Sequence, residues 1–253
     1  MTQFRPCIDL HEGKVKQIVG GSLNNSGAET NFVSQYSADH YAKLYKQHCL
    51  KGGHVISLGA NNKQQALEAL SAYPNGLQYG GGITVDNARE FLDAGASHLI
   101  VTSYLFENGQ FSWSRLDAIK SVVGAQRLVL DLSCRKTNNG WMIATDRWQT
   151  VTNTAITQQT LSQLEKHCAE FLIHAADVEG LQAGIDQDLV QLLGEISTVP
   201  CTYAGGARTV DDLDLVQSLS NGRVDLTIGS ALDIFGGFGV TLNECLDWNN
   251  QNK

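Results

Sequence analysis

The chain has 253 residues, of which 42% are hydrophobic and 17% are charged, and its formal net charge is −8. These values are typical of a globular domain, and the acidic balance argues against nucleic acid or an anionic membrane as a partner. The charge does not exclude a phosphorylated small molecule, because backbone amides and helix N-termini bind phosphate without net positive charge.

Short apolar runs alternate with amphipathic stretches along the chain, and this alternation predicts repeated strand–helix units. We expect eight strands, at Phe4–Leu10, His54–Leu58, Leu77–Gly80, His98–Thr102, Arg127–Leu132, Glu170–His174, Cys201–Ala204 and Val224–Ile228. We expect eight helices, near Ala38–His48, Lys63–Ala72, Val85–Ala94, Ser114–Val123, Gln158–Cys168, Gln187–Ser197, Val210–Leu219 and Thr241–Asn249. Thr84 and Thr209 stand where side chains cap the helices that come next. The pattern predicts one domain, residues 1–253, of the α/β class: a (β/α)8 TIM barrel.

The two halves of the chain resemble each other. Three segments recur in the same order, each displaced by nearly half the chain length: Ile8-Asp9-Leu10 as Leu130-Asp131-Leu132, Tyr79–Asp86 as Tyr203–Asp211, and Val101-Thr102-Ser103 as Ile228-Gly229-Ser230. This repetition predicts a barrel built from two fused half-barrel repeats. The alternative architecture is a doubly wound open sheet.

Asp9 and Asp131 each stand near the C-terminal end of an otherwise apolar strand, at equivalent positions of the repeat. Active sites of α/β barrels lie at that end of the strands, and a partly desolvated carboxyl group can be tuned for acid or base duty. The structural alternative is an aspartate that caps a loop or pairs with a lysine. Because two aspartates occupy equivalent positions, we predict that they are the catalytic pair and face one substrate from opposite sides of the barrel.

Two glycine turns come after strands three and seven, Gly81-Gly82 and Gly205-Gly206. Glycine lets the backbone approach a ligand closely, and the N-terminus of the helix after each turn favours an anion. Further hydroxyl and amide donors stand at the ends of the next strands: Thr102, Ser103, Gly229 and Ser230. One Gly-Gly pair is more often a turn alone, but two pairs in register predict two phosphate sites and a bisphosphorylated small-molecule substrate.

Two other side chains are candidate substrate-binding groups. His174 ends strand six, and a histidine there could orient the substrate or a carboxylate, or move protons; its alternative is a hydrogen-bonded structural residue. Trp148 lies in the long connection after strand five, where it could stack on a heterocycle or anchor the loop by hydrophobic contact. Arg135 and Lys136, just after Asp131, could meet a phosphate or face solvent.

Two connections, residues 11–35 and 133–156, are much longer than the others, and each comes after the aspartate-bearing strand of its half. Loops this long in a compact domain are usually functional. We therefore expect both to act as lids that become ordered over the substrate, because closure would keep water from a reactive intermediate.

The sequence offers no cofactor or metal motif. The seven histidines show neither H-E-x-x-H nor H-x-H spacing, and the glycine turns match neither Walker A nor G-x-G-x-x-G. Six scattered cysteines without a C-x-x-C pair fit small buried residues of a reduced compartment. No signal peptide or membrane span is evident. We expect a cytoplasmic monomer that uses no cofactor or metal and contacts neither nucleic acid nor membrane.

Over essentially its whole length, the chain resembles the phosphoribosylformimino-5-aminoimidazole carboxamide ribotide isomerases of histidine biosynthesis, and it is most similar to their fungal form. Six segments carry the resemblance: Cys7–Gly21, Asn31–Gln35, Val129–Lys136, Phe171–Gly180, Tyr203–Arg208 and Ser230–Gly237.

This resemblance implies an Amadori rearrangement, in which the aminoaldose ProFAR becomes the aminoketose PRFAR. By the family pattern, Asp9 falls on the general base, which removes the C2′ proton, and Asp131 on the general acid, which opens the ribose ring to a Schiff base. Bacterial members commonly have threonine where His174 stands, arginine where Thr84 stands, and an acidic residue on strand two, where this chain reads Leu58-Gly59-Ala60. The surroundings of Asp131 and of the first glycine turn therefore depart from the bacterial pattern.

Two alternatives stay open at this point. The cyclase subunit of imidazole glycerol phosphate synthase has aspartates at the same two strand ends, and Cys7 before Ile8-Asp9 resembles it, but that enzyme needs a glutaminase partner to supply ammonia. A non-catalytic phosphosugar-binding barrel could keep the glycine turns but would not need both aspartates.

Overall fold

A computed structural model describes residues 1–19, 22, 29–146 and 148–252. Its central feature is a closed barrel of eight parallel strands. Strand β1 has two pieces, Phe4–Arg5 and Cys7–His11, and the others are β2 (Gly53–Leu58), β3 (Leu77–Gly80), β4 (Leu99–Val101), β5 (Leu128–Asp131), β6 (Glu170–His174), β7 (Cys201–Ala204) and β8 (Val224–Thr227). Each strand pairs in parallel with the next, and β8 pairs with the first piece of β1. The expected strands are thus confirmed, with small shifts at their ends.

The barrel closes through both ends of the chain. Pro6 has no N–H group and interrupts β1, but its carbonyl still accepts a hydrogen bond from the His54 amide at 2.9 Å. From the last helix, Asn249 exchanges two hydrogen bonds with the backbone of Phe4, at 2.7 and 3.0 Å. Trp248 donates a further hydrogen bond to the Thr2 carbonyl. The first strand is therefore fixed by residues that lie more than 200 positions later.

Eight α-helices alternate with the strands in the described part of the chain. They are α1 (Ala38–Gln47), α2 (Lys63–Ala72), α3 (Ala88–Asp93), α4 (Trp113–Val123), α5 (Gln158–Leu164), α6 (Gln187–Ile196), α7 (Asp211–Ser220) and α8 (Leu242–Gln251). The main hydrophobic core lies between these helices and the sheet. None of the described helices has the length and hydrophobicity needed to cross a membrane.

The two helix caps expected at Thr84 and Thr209 are wrong. Helices α3 and α7 begin later than expected, and neither is capped by the side chain of its N-cap residue. Side chains three residues beyond each threonine bind the free amides instead: Asn87 accepts from Thr84, and Asp212 accepts from Thr209 and from Arg208. The amphipathic pattern runs through the turn before each helix, so it does not reveal which amides need a partner.

The two long connections contain β-structure of their own. In the first, Lys14–Ile18 and Thr30–Val33 pair as antiparallel strands. In the second, Cys134–Thr137, Gly140–Thr145 and Thr150–Ala155 form an antiparallel three-stranded sheet. A small hairpin after β4 pairs Phe106–Glu107 with Gln110–Phe111, and 3₁₀ turns occupy Ser103–Leu105, Ala125–Arg127, Glu165–His167 and Asp233–Phe235. Part of the first connection, at positions 20, 21 and 23–28, lies outside the described residues, so the expectation of a lid there stays a prediction.

The interior of the barrel is layered because side chains alternate along each strand. At the N-terminal end, Glu170 accepts hydrogen bonds from Gln78 and Thr202, at 2.8 and 2.7 Å. In the same layer Arg5 pairs with Asp225 at 2.6 Å. Above it lies a small apolar cluster, separate from the main core: Ile100, Val129 and Leu172. The third layer, at the C-terminal ends of the strands, holds the candidate site.

Candidate active site

A cavity of about 610 Å³ opens at the C-terminal end of the barrel. The structure brings to it all twelve residues that the sequence pattern selected: Asp9, Gly81, Gly82, Thr102, Ser103, Asp131, Trp148, His174, Gly205, Gly206, Gly229 and Ser230. The cavity is large enough for a drug-sized ligand and has its polar groups at the strand ends.

Asp9 stands on β1, surrounded by protein but open to the cavity. Its carboxylate accepts a hydrogen bond from Gln17 at 3.0 Å. Burial raises the pKa of Asp9 to about 6, and the charge of His174 and the hydrogen bond from Gln17 oppose the rise only in part. At neutral pH this carboxyl is mostly ionised, yet it is a stronger base than an ordinary aspartate.

Asp131, on β5 across the barrel, has a different environment. One carboxylate oxygen accepts hydrogen bonds from the amide and the hydroxyl of Ser133, and the other accepts from the Thr102 hydroxyl at 2.9 Å. Burial alone would raise the pKa of Asp131, but His174, Ser133 and Thr102 together hold it below its ordinary value. The Thr102 hydroxyl, which was expected at a phosphate, supports a carboxylate instead.

His174 ends β6 between the two aspartates and is buried. Its Nδ1 lies 3.8 Å from Oδ1 of Asp131, within ion-pair distance but too far for a direct hydrogen bond. Burial lowers the pKa of His174, but the attraction of Asp131, with Glu179 and Asp9, outweighs burial and raises the pKa to about 9. The ring is therefore an imidazolium at neutral pH.

Two aromatic rings flank this imidazolium. The His54 ring meets it edge to face at a centroid distance of 5.7 Å, and the Trp148 ring lies at 5.8 Å. Burial, with the charge of His174, lowers the pKa of His54 to about 3, so His54 stays neutral. The two neighbouring histidines thus differ in charge.

Glu179 is a candidate functional residue that the sequence reasoning did not select. It lines the same cavity, and burial, reinforced by Asp9 and opposed by His174, raises its pKa to about 7. The sequence feature that could have identified Glu179 is its position in the short acidic segment directly after the end of β6. Three carboxyl groups therefore surround one imidazolium.

The two glycine turns have the same backbone conformation. The φ angles are +121° at Gly81 and +124° at Gly205, and +69° at Gly82 and +78° at Gly206. A side chain at Gly81 would lie 2.5 Å from the Ser57 carbonyl oxygen, so the close packing of this turn requires glycine. This match supports the predicted repeat.

The helix after the second glycine turn already has an anion at its start. The carboxylate of Asp212 accepts hydrogen bonds from the amides of Arg208 and Thr209, directly before α7. These two amides are therefore not free to bind a phosphate.

The segment that carries Trp148 is fixed by ion pairs. Arg135 donates to the Trp148 carbonyl at 2.7 Å and pairs with Asp177 at 2.8 Å. Lys136 pairs with Asp188 at 3.0 Å. Both basic residues, for which the sequence left phosphate or solvent open, are thus engaged by carboxylates. Position 147, next to the tryptophan, lies outside the described residues.

The arrangement of metal-ligating side chains and the state of the cysteines bear on cofactor binding. In the described ranges, no group of three or more His, Cys, Asp or Glu residues has an arrangement that could hold a metal ion. All six cysteines are free thiols; five are buried and Cys49 is exposed.

Comparison with known proteins gives one family and several relatives. The family model described as histidine biosynthesis protein matches residues 3–237. A Neurospora crassa protein is 56% identical, over 98% of this chain and 99% of its own length, and one from Yarrowia lipolytica is 52% identical, over 98% of each. A Medicago truncatula protein, described as chloroplastic, is 51% identical, over 99% of this chain and 83% of its own. All three are named 1-(5-phosphoribosyl)-5-((5-phosphoribosylamino)methylideneamino) imidazole-4-carboxamide isomerase.

Proposed function

The chain belongs to the family of histidine biosynthesis proteins, and on that basis we propose that it isomerises the compound for which its relatives are named. The reaction is the Amadori rearrangement of the aminoaldose ProFAR to the aminoketose PRFAR. One observation carries the proposal: Asp9 on β1 and Asp131 on β5 face one cavity from opposite sides of the barrel, between two matching glycine turns.

The chemistry of the rearrangement fits this arrangement. Ring opening needs a proton donor at the ribose ring oxygen, and the next step needs a base at C2′. Asp9 suits the base, because burial raises its pKa to about 6 while leaving it mostly ionised at neutral pH. The glycine turns would hold the two phosphates, one near Gly82 and Ser103 and the other near Gly206 and Ser230.

The direct test is a spectrophotometric assay of the purified protein with ProFAR, without ammonia or glutaminase. We expect conversion to PRFAR, verified by chromatographic separation of the two isomers. Conversion without ammonia would separate an isomerase from the cyclase subunit, which acts only on the product with added ammonia. Binding of ProFAR without conversion would contradict the proposal and favour a non-catalytic phosphosugar-binding barrel.

The remaining expectations are part of the same proposal. We propose a single-domain monomer that acts in the cytoplasm without cofactor or metal; the chloroplastic relative indicates that location varies among these proteins. Sedimentation analysis of the purified chain tests the oligomeric state, and crystals soaked in phosphate should hold two anions, one at each glycine turn. Occupancy of one turn alone would contradict the two-site model.

A further inference from the structure

Gln17 lies on the strand Lys14–Ile18 of the first long connection, and its side chain is buried against β1. It is 1% exposed, and its Nε2 donates the 3.0 Å hydrogen bond that Asp9 accepts. Its Oε1 accepts a long hydrogen bond from the Ser230 hydroxyl, at 3.4 Å. One buried amide therefore lies between the proposed base and the second candidate phosphate site.

Gly229 leaves the space that this amide occupies. The φ angle of Gly229 is not in the positive range, so its backbone conformation does not require glycine. A Cβ atom there would lie 2.4 Å from Oε1 of Gln17 and 3.5 Å from Sγ of Cys7. Glycine is thus needed at position 229 for packing, because a larger residue would displace the amide that contacts Asp9.

The other half of the barrel has a threonine at the equivalent position of the repeat. Thr102 and Gly229 each precede a serine, and their carbonyls each accept a hydrogen bond from the amide three residues later, at 3.0 and 2.9 Å. The Thr102 hydroxyl donates to Asp131 at 2.9 Å. Both aspartates thus have a neutral side-chain donor. That of Asp131 comes from the end of the neighbouring strand, and that of Asp9 comes from the first long connection.

We propose that Gln17 positions the base Asp9, and that its amide replaces the strand-end hydroxyl that Gly229 lacks. The inference rests on the proposed isomerase function, in which Asp9 removes the C2′ proton. Gln17 is not among the residues that line the cavity, so it acts through Asp9 and not on the substrate. Its hydrogen bond restrains the carboxylate and stabilises the ionised form, which is the form that accepts a proton.

The proton affinity of Asp9 depends on several neighbours besides this amide. Burial raises its pKa to about 6, and the charge of His174 and the hydrogen bond from Gln17 oppose the rise. The titratable groups around Asp9 are Cys7 on β1, Tyr45 on α1, His174 on β6 and Glu179 just after β6. All of them are kept when Gln17 alone is changed, so its loss should raise the pKa of Asp9 further.

The first experiment measures the pKa of Asp9 without turnover. In the full chain labelled with ¹³C-aspartate, the carboxyl signal of Asp9 is identified by its loss in Asp9→Asn. We expect Asp9 to titrate near pH 6 in the wild type and at higher pH in Gln17→Ala. Gln191→Ala is the matched control, because Gln191 also donates to a carboxylate, that of Glu195 at 3.1 Å, but at an exposed position. An unshifted titration of Asp9 in Gln17→Ala would overturn the proposal.

The second experiment separates positioning from a structural role. Gln17→Ala should lower kcat/KM by about threefold at pH 7 and by about tenfold near pH 5.5, where the variant holds more of Asp9 protonated. The loss should come from kcat, with little change in KM. Circular dichroism checks that the variant is folded, and Gln17→Leu, which has a similar volume but no donor, serves as a second variant. An equal loss at both pH values would indicate a structural role and overturn the proposal.

Two double variants test the replacement itself. Gln17→Ala with Gly229→Thr supplies a strand-end hydroxyl, and Gln17→Ala with Gly229→Val supplies a side chain of similar shape without a donor. We expect threonine to return the Asp9 titration and kcat toward the wild-type values, and valine to leave both as in Gln17→Ala. Equal titrations and equal activities of the two double variants would refute the replacement. Absence of isomerisation by the wild-type chain would instead refute the proposed function, and the titration of Asp9 would still decide the role of Gln17.

Discussion

The two aspartates occupy equivalent places in the barrel, but the pKa of Asp9 is raised and the pKa of Asp131 is lowered. Asp9 accepts a side-chain hydrogen bond from Gln17, and burial raises its pKa to about 6. Asp131 accepts three hydrogen bonds and faces an imidazolium, which together hold its pKa below the ordinary value. Since the strand positions match, the difference comes from the neighbours that each half of the barrel supplies. A repeated scaffold can thus place two identical residues symmetrically and still give them different chemistry.

We expect the largest effect from a substitution that removes the carboxylate of Asp9. Asp9→Asn should lower kcat by about 10²–10⁴-fold, because the C2′ proton then has no acceptor, while KM should change far less if the phosphates dominate binding. Exchange of the C2′ proton with deuterated solvent should disappear. Asp93→Asn changes an exposed aspartate and is the matched control. Near-normal turnover by Asp9→Asn would show that this carboxyl is structural.

The next effect is on the stability of the protein, and it depends on the ion pair of His174 with Asp131 in the second half of the barrel. The folded pKa of His174, about 9, exceeds its ordinary 6.5, so its stabilisation is complete below pH 6.5 and is lost as pH rises through 9. Between pH 7.5 and 9.5 the free energy of unfolding in urea should fall by about 1–2 kcal/mol more in the wild type than in His174→Gln. His167→Gln should keep the wild-type slope. Parallel slopes for the wild type and His174→Gln would contradict the ion pair.

We expect a smaller effect from alanine substitutions in the two glycine turns. At Gly206, an added methyl group would lie 2.2 Å from the Gly184 carbonyl oxygen, whereas at Gly82 it would meet nothing within 4 Å. Both positions have positive φ, so Gly82→Ala costs about 1 kcal/mol of backbone strain, and Gly206→Ala must also displace its neighbour. We expect KM to rise more in Gly206→Ala than in Gly82→Ala. Gly109→Ala, in a turn with positive φ and open space around the added methyl group, controls for strain alone; equal KM values in all three variants would argue against phosphate binding at the turns.

We expect the smallest effect from a substitution that changes the pKa of Asp9 but keeps its carboxyl group. Gln17→Leu deletes the side-chain hydrogen bond that stabilises the ionised form of Asp9, so the pKa of Asp9 should rise further. The acid limb of the pH profile of kcat/KM should then move to higher pH, with a loss of about threefold at pH 7, roughly 0.7 kcal/mol. Gln191→Leu, at an exposed position, serves as control. An unshifted acid limb would mean that Asp9 is not the group titrating there.

Much of this arrangement could be predicted from the sequence, because it depends on periodic patterns. Apolar runs predict the strands, and the internal repeat pairs Asp9 with Asp131. The residues that bind the free amides before helices α3 and α7 could not be predicted in this way. Asn87 and Asp212 accept hydrogen bonds from amides that precede these helices, and helical periodicity does not identify those amides. Local patterns carry little information on which side chain satisfies which backbone group.

The charge state of the site could not be predicted from periodic patterns either. It depends on the parallel pairing of β5 with β6, which brings His174 to Asp131 although the two residues lie more than 40 positions apart. It also depends on the burial of Glu179, whose sequence neighbourhood looks like an ordinary polar loop. Proton affinity arises from three-dimensional neighbours, and one sequence alone does not reveal them.

The closure of the barrel has a consequence for how the protein is made. Strand β1 is synthesised before its partners β8 and α8. Until then Phe4 and Arg5 have no strand beside them, and Asp9, the proposed base, stands on an unfinished edge. We therefore expect a chain that lacks α8 to be bound by chaperones or degraded before it gains activity. The barrel that carries Asp9 closes only when β8 and α8 pack against β1.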